Sequence, residues 1–232
     1  MKLMTTIVLI RHGMTQANKE KRYIGVTDEP LLEESVHALV REREKYAEIL
    51  QRNTLKKCYV SPLLRCRQTA DVLFPDVSQI IIEDFRECNF GLFENKNYEE
   101  LNGNPAYQRF IDSNGQTAFP EGEDQAGFCA RVNRAFEALV KDYFYAQINR
   151  HKALTNGKAQ DVFLVVAHGG TIMAILSQYA DEKKTFYDWQ LSNNASYKGN
   201  LFFDDETGEI EITNVKKNEL KAEKCLILDN EL

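Results

Sequence analysis

Within residues 5–10, Ile7, Val8, Leu9 and Ile10 form an apolar run that stops at Arg11-His12-Gly13. Because the run is continuous rather than alternating, it predicts a strand covered on both faces, as in a parallel sheet. Residues 31–53 place apolar positions at helical spacing among dense charges of both signs, which predicts an exposed amphipathic helix. Cys58–Leu63 reads as a short strand ending in a Ser-Pro turn, and Leu63–Phe74 as the helix leaving that turn. A third strand is expected over Gln79–Phe85, then broken helices and loops over 97–115. A long helix with an acidic first turn follows over 119–150. Residues 161–180 repeat the opening theme: an apolar run, then His168-Gly169-Gly170, then a helix. Residues 196–215 alternate around a Thr-Gly turn and predict a hairpin. The stretch 221–228 reads as a last short strand or an appendage. Alternation of strand and helix makes this an α/β chain with a doubly wound, mostly parallel sheet and a C-terminal β-hairpin.

Composition is that of an ordinary globular protein, 43% hydrophobic and 28% charged over 232 residues. The net charge of -6, spread along the chain, argues against nucleic acid as a partner. Five cysteines, with no CxxC spacing, point to reduced thiols and neither a disulfide frame nor a zinc site. The first residues lack the pattern of a secretory leader, and no stretch approaches the ~20 apolar residues of a membrane helix. A cytoplasmic protein with no membrane partner is expected; oligomeric state is not readable.

In open α/β sheets, ligands bind beyond the carboxyl ends of the strands. Arg11 and His12, Ser61 with Arg65, Glu87, and His168 with Gly169 all follow predicted strands, so four distant polar clusters should meet on one rim. The set suits a phosphoryl group. Arginine offers a planar fork of donors that stays charged, and an imidazole beside arginines should have its pKa lowered and remain a neutral nucleophile. Glycines admit close approach of main chain to an anion, and a carboxyl group can protonate a leaving oxygen. Phosphoryl transfer through a phosphohistidine would need no metal or cofactor, because arginines and histidines neutralise the phosphoryl oxygens.

The segments LIRHGMTQAN, SPLLRCRQTA, FRECNFGLFENK, FPEGED and AHGGTIMAIL, in that order, resemble the signature blocks of the histidine phosphatase superfamily, the phosphoglycerate-mutase-like family. The likeness runs from about residue 5 to about residue 178. It leans toward the small-phosphatase branch that includes α-ribazole phosphatase, carried by residues 87–101 and 122–132. The resemblance implies a single domain over 1–232, with a small lid over about 88–125. It implies that His12 takes the phosphoryl group, that Arg11 and Arg65 clamp its oxygens, and that His168 donates a further hydrogen bond. Glu87 would be the general acid and then the base, Asn18 and Thr15 would bind the phosphoryl group, and Gly25 and Gly169 would line the mouth.

The chain departs from the family pattern in places. Met14 stands where Glu, Gln or Ser is usual, Ser35 where glycine is usual, and FPEGED where Gly-Glu-Ser is commoner; residues 145–160 are longer and more polar than a minimal member needs. The expected activity is hydrolysis of a small phosphorylated metabolite, such as α-ribazole phosphate or a sugar phosphate. A cofactor-dependent phosphoglycerate mutase and a non-enzymatic phospho-ligand binding module are the alternatives. The ring-bearing residues Phe90, Phe93, Tyr98, Tyr107 and Phe119 would stack on a substrate ring or pack as a lid core.

Overall fold

A computed structural model describes residues 1–51, 57–153 and 162–219. Its spine is a six-stranded sheet built from β1 (Lys2–Arg11), β2 (Lys57–Val60), β3 (Ser78–Ile81), β4 (Val162–Ala167), β5 (Ser196–Asp204) and β6 (Ile210–Asn218), in the order β3-β2-β4-β1-β5-β6. The three pairings from β3 to β1 are parallel, and β5 and β6 add the antiparallel hairpin. The mostly parallel, doubly wound α/β sheet expected from the sequence is therefore the fold observed.

The unbroken apolar runs are explained by what lies on each face. Successive side chains of a strand point to opposite sides. On one side Ile7 and Leu9 of β1 and Phe163, Val165 and Ala167 of β4 enter a core closed by α5 (Gln125–Ala153) and α6 (Gly169–Tyr179). On the other, Val8, Ile10, Val162, Leu164 and Val166 meet α2 (Glu33–Gln51) and α3 (Leu64–Leu73). Every residue of β4 is fully buried, so neither face tolerates a polar residue. In α5 the buried positions Phe128, Val132, Phe136, Val140, Tyr143 and Phe144 recur every three or four residues and make one stripe.

Two predicted boundaries move. The third strand ends at Ile81, and Glu83–Phe85 winds into a 3-10 turn that drives Phe85 fully into the core. The long helix starts at Gln125 rather than 119, because the Asp124 side chain caps it by accepting from the Gly127 N–H at 2.6 Å. Between them lie a 3-10 turn at Gly91–Phe93 and α4 (Pro105–Asp112), opened by Asn104, whose side-chain oxygen accepts from the N–H groups of Ala106 and Tyr107. The expected strand or appendage at 221–228 and part of the polar stretch 145–160 fall outside the described residues.

Phe163 packs between the rings of Tyr59, Tyr143 and Phe136, at centroid distances of 4.7, 5.1 and 5.9 Å. Phe163→Ala should destabilise the chain by about 3–5 kcal/mol, read as a lowered urea midpoint at unchanged slope.

Candidate active site

Strand register delivers the two histidines. Arg11 pairs with Ala167 at the carboxyl end of the β1–β4 ladder, and the His12 N–H donates to the Ala167 carbonyl at 3.0 Å. The next residues, His12 and His168, are thus neighbours, with ring centroids 5.1 Å apart. Val60 pairs with Val166 and the Ser61 N–H donates to the Val166 carbonyl, which sets Ser61 Oγ 2.7 Å from His168 Nε2. His168 is also the N-cap of α6, so the amino end of a helix faces the rim.

The state of His12 follows from its contacts. Its Nδ1 lies 2.6 Å from the Gly13 carbonyl oxygen. A carbonyl only accepts, so Nδ1 carries the proton and Nε2 presents a lone pair. Burial and the charges of Arg65 and Arg11 hold the imidazole pKa well below its usual value. His168 is lowered in the same way, by burial first and by Arg65 next.

Arg65 reaches the rim from α3 and is completely buried. Its Nη1 donates to the Thr27 carbonyl (2.7 Å) and its Nη2 to that of Gly25 (2.9 Å), while Nε has no protein partner. The Arg11 guanidinium donates to the Leu191 carbonyl through Nη1, and its Nε is likewise buried and unpartnered. Two guanidiniums each hold an unmet donor beside two neutral imidazoles. That is a site built for an anion.

Glu87 lies within the field of both guanidiniums. Its carboxylate accepts from the Cys88 and Gly170 N–H groups, each at 2.9 Å. Withdrawal from water raises its pKa, against the opposing pull of those donors and of Arg11. A Cβ on Gly170 would fall 2.3 Å from Glu87 Oε1, so only glycine admits the carboxyl group there. Gly169 lies against the Arg11 guanidinium, 3.4 Å from where its own Cβ would be.

Other expected site residues are placed differently. Thr15 is the N-cap of the short helix α1 (Gln16–Lys19); its hydroxyl accepts from the Asn18 N–H and the Asn18 side-chain oxygen accepts from the Thr15 N–H, a reciprocal capping box. That oxygen also accepts from Asn193 Nδ2 at 3.0 Å. Gly25 does not border the cavity described below. A Cβ there would collide with the Cys88 carbonyl, and its own carbonyl anchors Arg65.

Several residues that hold the site carry no local signal in the sequence. Asn193 Nδ2 donates to the carbonyls of His12 and Gly13, steadying the group that orients the His12 ring. Ser35, in the place of a usual glycine, accepts from the Met14 N–H and donates to Asn194. Glu94 gathers the N–H groups of Gly25, Val26 and Phe90 and the Thr27 hydroxyl, shaping the loop that grips Arg65. Glu123, of the unusual FPEGED segment, binds Arg131 through both oxygens, and Arg131 in turn donates to the Asp84 and Arg86 carbonyls below Glu87. Within SPLLRCRQTA, Thr69 accepts from the Gly13 N–H and Gln68 from that of Leu31. Cys66 packs on His168 with its thiol pKa pushed up to about 12 by burial, and Cys88 is raised too, so neither is a ready nucleophile.

An α/β sheet carrying this rim of paired histidines and buried arginines defines a class of fold that comparison with known proteins identifies. Residues 7–216 match the model of the histidine phosphatase superfamily (branch 1). The chain belongs to that superfamily. A curated relative from Escherichia coli O1:K1, named Probable phosphoglycerate mutase GpmB, is 31% identical over 139 residues, 58% of this chain and 63% of the relative; the match thus spans less than two thirds of the relative's length. The fold is shared with the α-ribazole phosphatase from Shigella flexneri (TM-score 0.67, 20% identity, 90% of this chain and 94% of that one). It is shared also with a phosphoserine phosphatase from Entamoeba histolytica, solved with 3-phosphoglyceric acid (TM-score 0.65, 23% identity, 94% and 98%). Among the described residues no helix is long and apolar enough to cross a membrane.

Ring-nitrogen NMR of the histidines reads the tautomer directly. At pH 6.5, where an ordinary imidazole is half charged, His12 should be neutral with its proton on Nδ1. A His12 half protonated there would contradict the electrostatics described.

Proposed function

We propose that this chain is a phosphomonoester hydrolase that works through a covalent phosphohistidine. The observation that carries the reading is a neutral, Nδ1-protonated His12 and a Glu87 whose pKa is raised, both within the field of two buried guanidiniums with unmet donors.

The Nε2 lone pair of His12 attacks phosphorus as the ester P–O bond breaks. The protonated Glu87 gives its proton to the departing alkoxide and becomes a carboxylate. That carboxylate then takes a proton from water, whose oxygen attacks the phosphohistidine; the N–P bond breaks, phosphate leaves, and Glu87 is protonated again. Arg11 and Arg65 hold the phosphoryl oxygens through both steps, with His168 donating a further hydrogen bond. Ser61 on its Nε2 leaves Nδ1 as the ring nitrogen for that bond. Asn18 contributes its amide nitrogen, since its oxygen is already taken, and Thr15 acts by capping the turn that presents Asn18. Gly169 shapes the mouth. The segment 88–125 serves as the lid of a single domain, the substrate is a small phosphorylated metabolite, and the free thiols fit a reducing cytoplasm.

The mutase reading has support in the name of the Escherichia coli relative. Rapid release of phosphate from p-nitrophenyl phosphate, with no bisphosphoglycerate present and undiminished by excess EDTA, is expected of a metal-independent hydrolase. His12→Ala should abolish it, and unchanged turnover in that variant would end the phosphohistidine scheme.

Glu87→Gln should slow alkyl phosphates by about 100- to 10,000-fold and activated aryl phosphates far less. The wild-type pH profile should rise through the depressed His12 pKa, below 6.5, and fall as Glu87 loses its proton above its ordinary 4.5. The falling limb should vanish in Glu87→Gln; its persistence would assign the acid elsewhere.

A further inference from the structure

Beside Glu87 and Arg11, on the side where the ester's alcohol must leave, opens a cavity of about 640 Å³. Its walls are aromatic: Tyr23, Phe90, Phe119, Phe128, Phe186 and Tyr187 all border it. Part of this wall is held stiff by edge contacts, Tyr23 to Phe90 at 5.2 Å and Phe90 to Phe119 at 5.0 Å, backed by Phe93 and Tyr107. Phe93 is a core residue, fully withdrawn from water; Tyr187 at the cavity is half exposed. The aromatic segment therefore does two things, with an inner layer that packs and an outer layer that faces the ligand.

The charges bordering this space matter as much as the rings. Among the described residues that border it, Arg11 is the single cation and Glu87, protonated before the alcohol leaves, the single carboxyl group; the side-chain amides of Asn114, Gln125 and Gln190 are neutral. Arg11 is committed to Leu191 and to the phosphoryl group, so no cation is left for a second anion. Placing a carboxylate or a second phosphate against apolar walls, next to a carboxyl group, carries a heavy desolvation cost with no cationic partner to offset it. Flat rings stack well against aromatic faces, and neutral amides satisfy the polar edges of such rings.

We infer that the cavity selects phosphomonoesters whose alcohol is uncharged and bears a planar ring, and rejects those whose alcohol carries a carboxylate or a second phosphate. This rests on the hydrolase reading for the placement of the phosphoryl group, and it separates this chain from any enzyme built to hold phosphoglycerate.

Three esters of alkyl alcohols test it, because they differ in what fills the cavity rather than in having an activated leaving group: 2-phenylethyl phosphate, glycerol 1-phosphate and 3-phosphoglycerate. Calorimetric titration of the full-length His12→Ala protein, with His12→Asn as the substitute should the first not fold, reads binding without turnover. The 2-phenylethyl ester should bind at least tenfold tighter than 3-phosphoglycerate, with glycerol 1-phosphate between. Gln125→Arg, combined with the same His12 substitution, should tighten 3-phosphoglycerate at least tenfold and leave the order of the other two. Equal or tighter binding of 3-phosphoglycerate to the parent variant would overturn the inference. Turnover by the unmutated protein is scored separately, so a failed hydrolase reading and a failed pocket reading give different results.

Discussion

The register between β1 and β4 is the constraint from which the site follows. Parallel pairing puts Arg11 opposite Ala167, so the first residues past each strand, His12 and His168, emerge side by side. A slip of one residue would turn every side chain of a strand to the opposite face. Here both faces are fully apolar, so burial alone does not choose between neighbouring registers for β4. The choice is made at the strand ends, where His12 and Ser61 bond back to β4 and Asn193 and Asn194 hold the His12 carbonyl.

Around that pair, charge is held by backbone as much as by counter-charge. Arg65 lies wholly buried, with no ion pair among the described residues, tied to carbonyls of the 24–27 loop. That loop is in turn pinned by Glu94, which spends its oxygens on N–H groups and a hydroxyl. A direct salt bridge to Arg65 would quench the positive field that, after burial, lowers the His12 and His168 pKa values. Carbonyl dipoles fix the guanidinium and leave its charge largely free to act.

The parts legible in the sequence are those whose cause is local. Continuous apolar runs named the buried strands, and ordered blocks such as Arg11-His12-Gly13 and Ala167-His168-Gly169-Gly170 named the rim. The parts that escaped depend on partners far along the chain. Nothing near Asn193 shows that its amide will reach across 181 positions to the His12 carbonyl. Glu94 looks like its acidic neighbours until the chain folds over it. The sequence pattern puts Thr15 at the phosphoryl group and Gly25 at the mouth; the cap made by one and the carbonyl anchor made by the other depend on partners that spacing does not reveal. The apolar residues over Gln79–Phe85 predict one strand, but the strand ends at Ile81 and Phe85, apolar like a strand residue, is buried by a turn.

The carboxyl group of Glu87 and the aromatic wall share one piece of chain. Glu87, Cys88 and Phe90 border the cavity together within four residues of chain, and Arg131 with Glu123 bolts this stretch to α5 from beneath. Selectivity and proton delivery are therefore not separable modules. Anyone grafting a foreign cap onto this scaffold to change its preference must splice beyond Phe90, or the transplant will carry off the proton donor with the old wall.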